Sequence, residues 1–344
     1  MKHDSKHIPV LAVTMGDPSG IGPEIAARAF ARKTIYAACR PVLIGHTPTM
    51  QKAIEALGLK TEINLPATPG KARFQPGIMD ILEIGNDVAR PVPPGKISAE
   101  AGELAFRAVK MAAELALKGM VDGIVTGPIN KEAINMAGHH FSGHTEILAH
   151  FTHTTKYAMM LADDDLRIIH ATTHVSLRKA CDLVRKERIL EVIQLTDEGL
   201  RKLGISNPRI GVAGLNPHSG DGGLFGMEEI EEINPAIEEA VRMGIDASGP
   251  VPADTLFAMA RGGKYDGCVA MYHDQGHIPF KLLGFSWDKG KKAMNSVRGV
   301  NITLGLPIVR TSVDHGTAFE IAGKGIASPD ALLQAIDYAI KLLN

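Results

Sequence analysis

The chain has 344 residues, 45% of them apolar and 22% charged, a mix that excludes intrinsic disorder and gives enough length for two domains. Lys and Arg number 37 against 38 Asp and Glu, a formal net charge of −1, with no block of like charge. That balance argues against a nucleic-acid partner or a membrane-surface role.

Cys39, Cys181 and Cys268 are widely spaced and form no C-x-x-C pair, so neither a disulfide scaffold nor a cysteine zinc site is expected. The opening apolar run is too short for a secretory leader, and no stretch approaches the ~18 apolar residues of a membrane helix. A cytoplasmic location is the expectation.

Residues 8–14 (IPVLAVT) read as a buried strand and Gly16 to Pro23 as a turn. Glu24 to Phe30 then open a helix, with Pro23 suited to its first position. A strand at 41–45 and a helix at 47–58 follow, and the proline- and glycine-rich segment 59–97 reads as a loop or hairpin excursion. The clearest helix spans 98–118: Ser98 can cap it, Leu104, Ala108, Met111 and Leu115 share a face, and Gly119 suits its stop. Strands are then expected at 121–125, 166–173, 209–214, 267–272 and 307–312, and helices at 186–204, 226–243 and 328–343. Strands that are almost continuously apolar, alternating with helices, indicate an α/β fold with a mostly parallel sheet covered on both faces.

Three segments, ATTHVSL (171–177), GLNPHSGDGG (214–223) and MYHDQGH (271–277), each follow an expected strand. His174, His218 and His273 therefore belong at the C-terminal edge of the sheet, where open α/β sheets hold their ligands. Three neutral imidazoles suit a catalytic divalent metal with one open position, although their spacing matches no local metal motif, and surface or core roles are the alternative. His170 competes, because period two places it on the same strand face as His174.

A second cluster, TGPINKEAINMAGHHFSGHTEIL (126–148), gathers Lys131, His144, Thr145 and Glu146 before an apolar helical stretch. It suits a phosphate or carboxylate at a helix N-terminus, or is an exposed loop capped by Thr145. In a third cluster (301–336), Asn301 and Arg310 are candidates for oxyanion recognition, since a guanidinium grips a carboxylate or phosphate through two parallel hydrogen bonds. GDPSGIGPE is not the G-x-G-x-x-G fingerprint, so a Rossmann domain is not expected, and no P-loop, nucleophile elbow or kinase motif is present.

Taken together, MGDPSGIGPEI, TGPINKEAI, SGHTE, TTH, NPHSGDGGLFG, PADTLF, MYHDQGHIPFK and GVNITLGLPIVRTSVDHGT resemble the 4-hydroxythreonine-4-phosphate dehydrogenase (PdxA) family along essentially the whole chain. That family is similar to the isocitrate and isopropylmalate dehydrogenases. The resemblance implies a two-domain α/β/α sandwich of that type with an active site in the interdomain cleft. It further implies a nucleotide-side domain from 1–125 plus 300–344 and a metal, substrate and dimerisation domain at 126–299.

The resemblance makes His174, His218 and His273 the ligands of one divalent metal (Zn²⁺, Mg²⁺, Mn²⁺ or Co²⁺), placed at a homodimer interface. It makes His144, Thr145, Lys281, Asn301 and Arg310 substrate-binding residues. His315, Gly316 and Gly323 then belong to an adenosine-type loop for NAD. Lys131, Asp254 and Asp274 are the candidate catalytic groups; the two aspartates are candidates for the proton acceptor or for orienting a ligating histidine.

The implied reaction is oxidation and decarboxylation of a four-carbon 3-hydroxy acid 4-phosphate. MYHDQGHIPFKLLGF is closer to the branch acting on D-threonate or D-erythronate 4-phosphate than to the pyridoxal phosphate biosynthetic branch. The segment between Phe285 and Val300, with Trp287, Lys289, Lys291, Lys292 and Arg298, is longer than expected and forms either a lid over the phosphate or a solvated loop. The alternatives are a phospho-acyl transferase of similar architecture and a non-catalytic phosphometabolite-binding protein.

Overall fold

A computed structural model describes residues 7–344 except Asn86, Lys291, Lys292 and Arg298, and only the backbone of 286–288 and 293–297. The chain opens with Val10–Thr14 (β1), Gly22–Phe30 (α1), Lys33–Ala38 (α2), Arg40–Gly45 (β2), Thr47–Ala56 (α3), Glu62–Asn64 (β3) and Ile78–Glu83 (β4). It continues through Ala99–Leu117 (α4), Gly123–Thr126 (β5), Lys131–Met136 (α5), His144–Phe151 (α6), Ala158–Asp163 (β6), Leu166–His170 (β7), Leu177–Leu183 (α7) and Lys186–Lys202 (α8). Then come Arg209–Ala213 (β8), Asn234–Arg242 (α9), Asp246–Val251 (β9), Ala253–Arg261 (α10), Gly267–Ala270 (β10) and His273–Gly284 (α11). The last elements are Phe285–Asp288 (β11), Ala293–Val297 (β12), Val300–Leu304 (β13), Val309–Val313 (β14) and Asp330–Leu343 (α12).

Two compact units divide the chain: Met1–Thr154 with Leu306–Asn344, and Thr155–Gly305. This division places 126–154 in the first unit and 300–305 in the second, the reverse of the sequence expectation for those segments. In the first unit the strand order is β3-β4-β2-β1-β5-β14, every pair parallel. In the second it is β13-β6-β7-β10-β8-β9; β6 runs antiparallel to both neighbours, and the other pairs are parallel. Strands β11 and β12 form a separate antiparallel pair, which is the backbone course of the long segment before Val300; Lys291, Lys292 and Arg298 lie outside the described residues.

Each unit has its own core. In the first, Ile124 on β5, Val42 and Ile44 on β2, and Leu104, Ala108 and Val109 on α4 are all essentially inaccessible. In the second, Ile168, Leu256, Cys268 and Phe280 pack together. Burying each such large side chain contributes roughly 1.5–3 kcal/mol. Helix α4 has the expected ends: Ser98 Oγ accepts from the Ala101 N–H at 3.2 Å, and Gly119 turns left-handed at φ +65°.

The structure corrects three expectations. Segment 59–97 is no hairpin excursion, because β3 and β4 extend the parallel sheet beyond β2. Asp80, 1% exposed on β4, organises that segment by accepting from the backbone of Arg73 (3.0 Å) and Phe74 (2.8 Å) and from Asn64 Nδ2 (2.6 Å). The helix expected at 226–243 is instead a π-helical turn, Glu229–Ile233, leading into α9. Pro235 has no N–H to continue the ladder, and the Glu229 side chain is drawn inward. Third, β7 ends at His170, so the period-two argument pairing His170 with His174 does not apply.

Candidate active site

In the first unit, β1, β5 and β14 are neighbours, and the turns after β1 and β5 are pressed together. Asp17 N–H donates to the Pro128 carbonyl at 2.8 Å, and a Cβ on Gly16 would lie 2.5 Å from that same oxygen. With φ +78° as well, position 16 requires glycine. Arg310, 2% exposed on β14, directs its Nε (3.2 Å) and Nη2 (2.8 Å) to Thr126 Oγ1 at the end of β5. Burial pushes its guanidinium pKa down, against the opposing pull of Glu146.

His144 begins α6 and hydrogen-bonds to the backbone of Gly127; its Nε2 is buried without a partner. Burial, then the charges of Arg310 and Lys131, hold its pKa well below the usual histidine range, so the ring is neutral. Lys131 starts α5, its Cε within 3.7 Å of where a Cβ on Gly143 would lie. The first unit thus gathers the expected Lys131, His144 and Arg310 at one sheet edge. Thr145 lies in the first turn of α6 and is not its cap; the residue before the helix is Gly143. Thr126 was missed by sequence reasoning, since a strand threonine gives no sign of the arginine it will meet.

In the second unit, β7, β10 and β8 are adjacent and parallel, so the three histidine-bearing segments leave the same edge. The rings of His174 and His273 come within 5.9 Å, centre to centre. His273 Nδ1 donates to Asp274 Oδ1 at 2.6 Å, which orients the ring and leaves Nε2 as its other nitrogen for a ligand. Two imidazoles so placed suit one cation.

His218 stands apart from this pair. It sits on a left-handed turn in which residues 218–222 all have positive φ, from 43° to 82°. Glu229, 2% exposed, braces that turn by accepting from the N–H groups of Leu215 (2.8 Å) and Asn216 (2.7 Å). The described ring contact of His218 is with Phe225, at 6.4 Å. Among the described residues no group of three or more His, Cys, Asp or Glu side chains could hold a metal.

Two further residues complete the surroundings of His273. His277, which sequence reasoning missed, stacks on it at 3.7 Å and 10°, with its Nδ1 donating to the His273 carbonyl at 3.0 Å. The spacing of the two histidines in HDQGH, one helical turn, was the available signal. His170 is fully buried behind them, 4.7 Å from the His277 ring, and burial pushes its pKa down to about 3.

Asp254 lies exposed in the first turn of α10, and among the described residues no hydrogen bond or ion pair joins it to the histidines. Lys281 is on α11, its ammonium 5.4 Å from the Phe285 ring centre, and Asn301 is on β13 opposite Leu161. In the first unit, His315 Nδ1 donates to the Gly316 carbonyl at 2.9 Å, and Gly323 N–H donates to Glu24 Oε1.

Residues 37–339 match the family described as Pyridoxal phosphate biosynthetic protein PdxA. The chain belongs to this PdxA family. It is 47% identical over 336 residues to D-threonate 4-phosphate dehydrogenase of Salmonella typhimurium, covering 96% of this chain and 98% of that one. It is 45% identical over 334 residues to D-threonate 4-phosphate dehydrogenase of Pectobacterium atrosepticum, covering 97% and 99%. Among solved structures, 4-hydroxythreonine-4-phosphate dehydrogenase from Klebsiella pneumoniae superposes with a TM-score of 0.84 at 43% identity, covering 98% of this chain and 100% of that one.

Beyond the PdxA family the fold is shared with a β-decarboxylating dehydrogenase of Thermococcus kodakarensis (TM-score 0.50, 14% identity) and a branched-chain phosphotransacylase of Enterococcus faecalis (0.51, 11%). Both likenesses concern the fold alone. Among the described residues, no helix of this PdxA-family chain is long and apolar enough to cross a membrane.

Proposed function

We propose that this protein is an NAD-linked dehydrogenase that oxidises and decarboxylates D-threonate or D-erythronate 4-phosphate to dihydroxyacetone phosphate and CO₂. The observation that carries the reading is 47% identity, over 96% of the chain, to the Salmonella typhimurium D-threonate 4-phosphate dehydrogenase. The C3 hydrogen leaves as hydride to NAD⁺ and the hydroxyl proton goes to a base. The resulting 3-oxo acid then loses CO₂, and C2 takes up a proton.

The chain's own residues fit the substrate's charges. Arg310 and Lys131 offer fixed cations to a phosphate or carboxylate. The neutral His144, with its Nδ1 engaged by Gly127, keeps Nε2 to accept from a substrate hydroxyl. Thr145, Lys281 and Asn301 remain the proposed further substrate contacts, and His315, Gly316 and Gly323 the proposed cofactor loop.

A divalent cation held by His174 and His273 would supply Lewis acidity that favours both hydride loss and decarboxylation. In this reading Asp274 orients His273, and the exposed Asp254 is the candidate proton acceptor. His218 completes the donor set from a second copy of the chain. Support for a homodimer comes from large apolar side chains exposed beside these histidines: Leu224 and Phe225 after His218, and Ile278 and Leu282 on α11, with Leu224 at 72% and Leu282 at 78% exposure.

The test is NADH formation, followed by absorbance with a divalent metal present, on D-threonate, D-erythronate and 4-hydroxythreonine 4-phosphates. The sugar acids are expected to give the higher kcat/KM. A preference for the amino acid would assign the activity named for the Klebsiella structure, and silence with all three would overturn the reading.

A further inference from the structure

We infer that Glu229 is the positioning residue for His218, holding a left-handed turn that aims the imidazole in advance of any ligand; the inference rests on the reading above that His218 belongs to the metal donor set. His218 is exposed and its described ring contact, with Phe225, is distant. The direction of the ring is therefore set by backbone more than by packing.

That backbone is one that residues with side chains avoid. Of the five consecutive positive φ values, three belong to His218 (53°), Ser219 (54°) and Asp221 (43°), and each carries the energetic cost of a left-handed conformation. Such a run persists only where its surroundings over-determine it. The turn's own hydrogen bonds are long: Ser219 N–H donates to the Asn216 carbonyl at 3.1 Å, Phe225 N–H to Gly220 at 3.2 Å and Leu224 N–H to Asp221 at 3.3 Å.

Glu229 supplies the remaining restraint. Its Oε1 takes the N–H groups of Leu215 and Asn216 at the entrance, and its Oε2 takes the Asn216 side-chain amide at 2.9 Å. The same Oε2 lies against the middle of the turn, where a Cβ on Gly220 would come within 2.8 Å of it. One carboxylate, 2% exposed, thus grips the segment on both sides of His218. The brace is itself anchored. It opens the π-helical turn, in which Ile233 is fully buried and Glu232 accepts from Arg185 Nη1 (2.8 Å) and the Lys186 N–H (2.7 Å). Holding the ring in place this way moves its ordering cost from metal binding to folding.

A double-mutant cycle tests this, with the full chain stripped of metal, titrated with Co²⁺ and followed by visible absorption. Glu229→Gln keeps one oxygen for the backbone N–H groups but sets its own amide against that of Asn216. It is expected to weaken Co²⁺ binding about tenfold with the fold retained by circular dichroism, and to have no further effect in a His218→Ala background. Unchanged affinity in Glu229→Gln, or an equal loss in both backgrounds, would overturn the inference. If Glu229→Gln does not fold, Asn216→Ala takes its place in the cycle, since it removes one donor to Glu229 and leaves the backbone N–H. Failure of the metal reading looks different: His218→Ala alone then leaves Co²⁺ affinity unchanged.

Discussion

Gln275 donates its side-chain amide to the Gly214 carbonyl at 2.7 Å. Its Oε1 accepts from the Met271 N–H at 2.6 Å, so one side chain, 9% exposed, ties the segment carrying His273 to the segment carrying His218. Gln275→Leu leaves a buried N–H and a buried C=O unmet, a cost of about 1–3 kcal/mol each. Reduced stability in urea and weaker Co²⁺ binding by visible absorption are both expected, and Gln275→Glu, which keeps the acceptor, is expected to fall between the variant and the parent.

Arg310 is expected to be irreplaceable by lysine. Its fork reaches Thr126 with two nitrogens from a position only 2% exposed, whereas lysine brings a single point charge with a larger hydration cost. Arg310→Lys should raise the KM for the phosphorylated acid by about tenfold or more, corresponding to ~1.4 kcal/mol, with little change in the KM for NAD⁺. Steady-state kinetics with each substrate varied in turn checks this.

Asp17 gives a pH prediction. Burial raises its pKa from 3.8 to about 6, against the backbone N–H groups of Ser19 and Gly20. Between those values the folded chain binds more protons than the unfolded one. The stability contributed by this group is therefore complete below pH 3.8 and is lost as pH rises through about 6. Asp17→Asn keeps the Oδ1 acceptor and removes the titration. Thermal melts should find it more stable than the parent at about pH 8, by up to about 3 kcal/mol, and no more stable below the unfolded pKa.

Gly102 lies where α4 meets α5, and a Cβ there would come within 2.0 Å of the Ala133 carbonyl oxygen. Backbone cannot yield as a side-chain tip can, so Gly102→Ala is expected to cost about 1–3 kcal/mol or more despite alanine's better helix propensity. Equilibrium denaturation measures it directly.

The parts of this fold legible in the sequence are those whose signals are local. Strands β1, β2 and β5 are short apolar runs, and α4 advertises its own cap, face and stop. Strand β4 was hidden because prolines and glycines surround it and its central Asp80 looks like a turn residue until Arg73, Phe74 and Asn64 are folded onto it. Strand β9 contains Gly249 and Pro250, which read as a break. At the site, His174 and His273 could be placed by their position after strands. The tie through Gln275, the stack of His277 on His273 and the Thr126 partner of Arg310 depend on contacts that no run of neighbouring residues encodes.

Ala158 and Leu304 face each other as register partners across β6 and β13. The stretch Thr155–Gly305 therefore begins and ends on adjoining strands while carrying a hydrophobic core of its own. Such a stretch is a cassette: a few flexible residues could bridge the gap left by its removal, and its own ends could be joined to make a circular permutant. Recombination could exchange the histidine-bearing half of this enzyme without rewriting the half that bears Arg310.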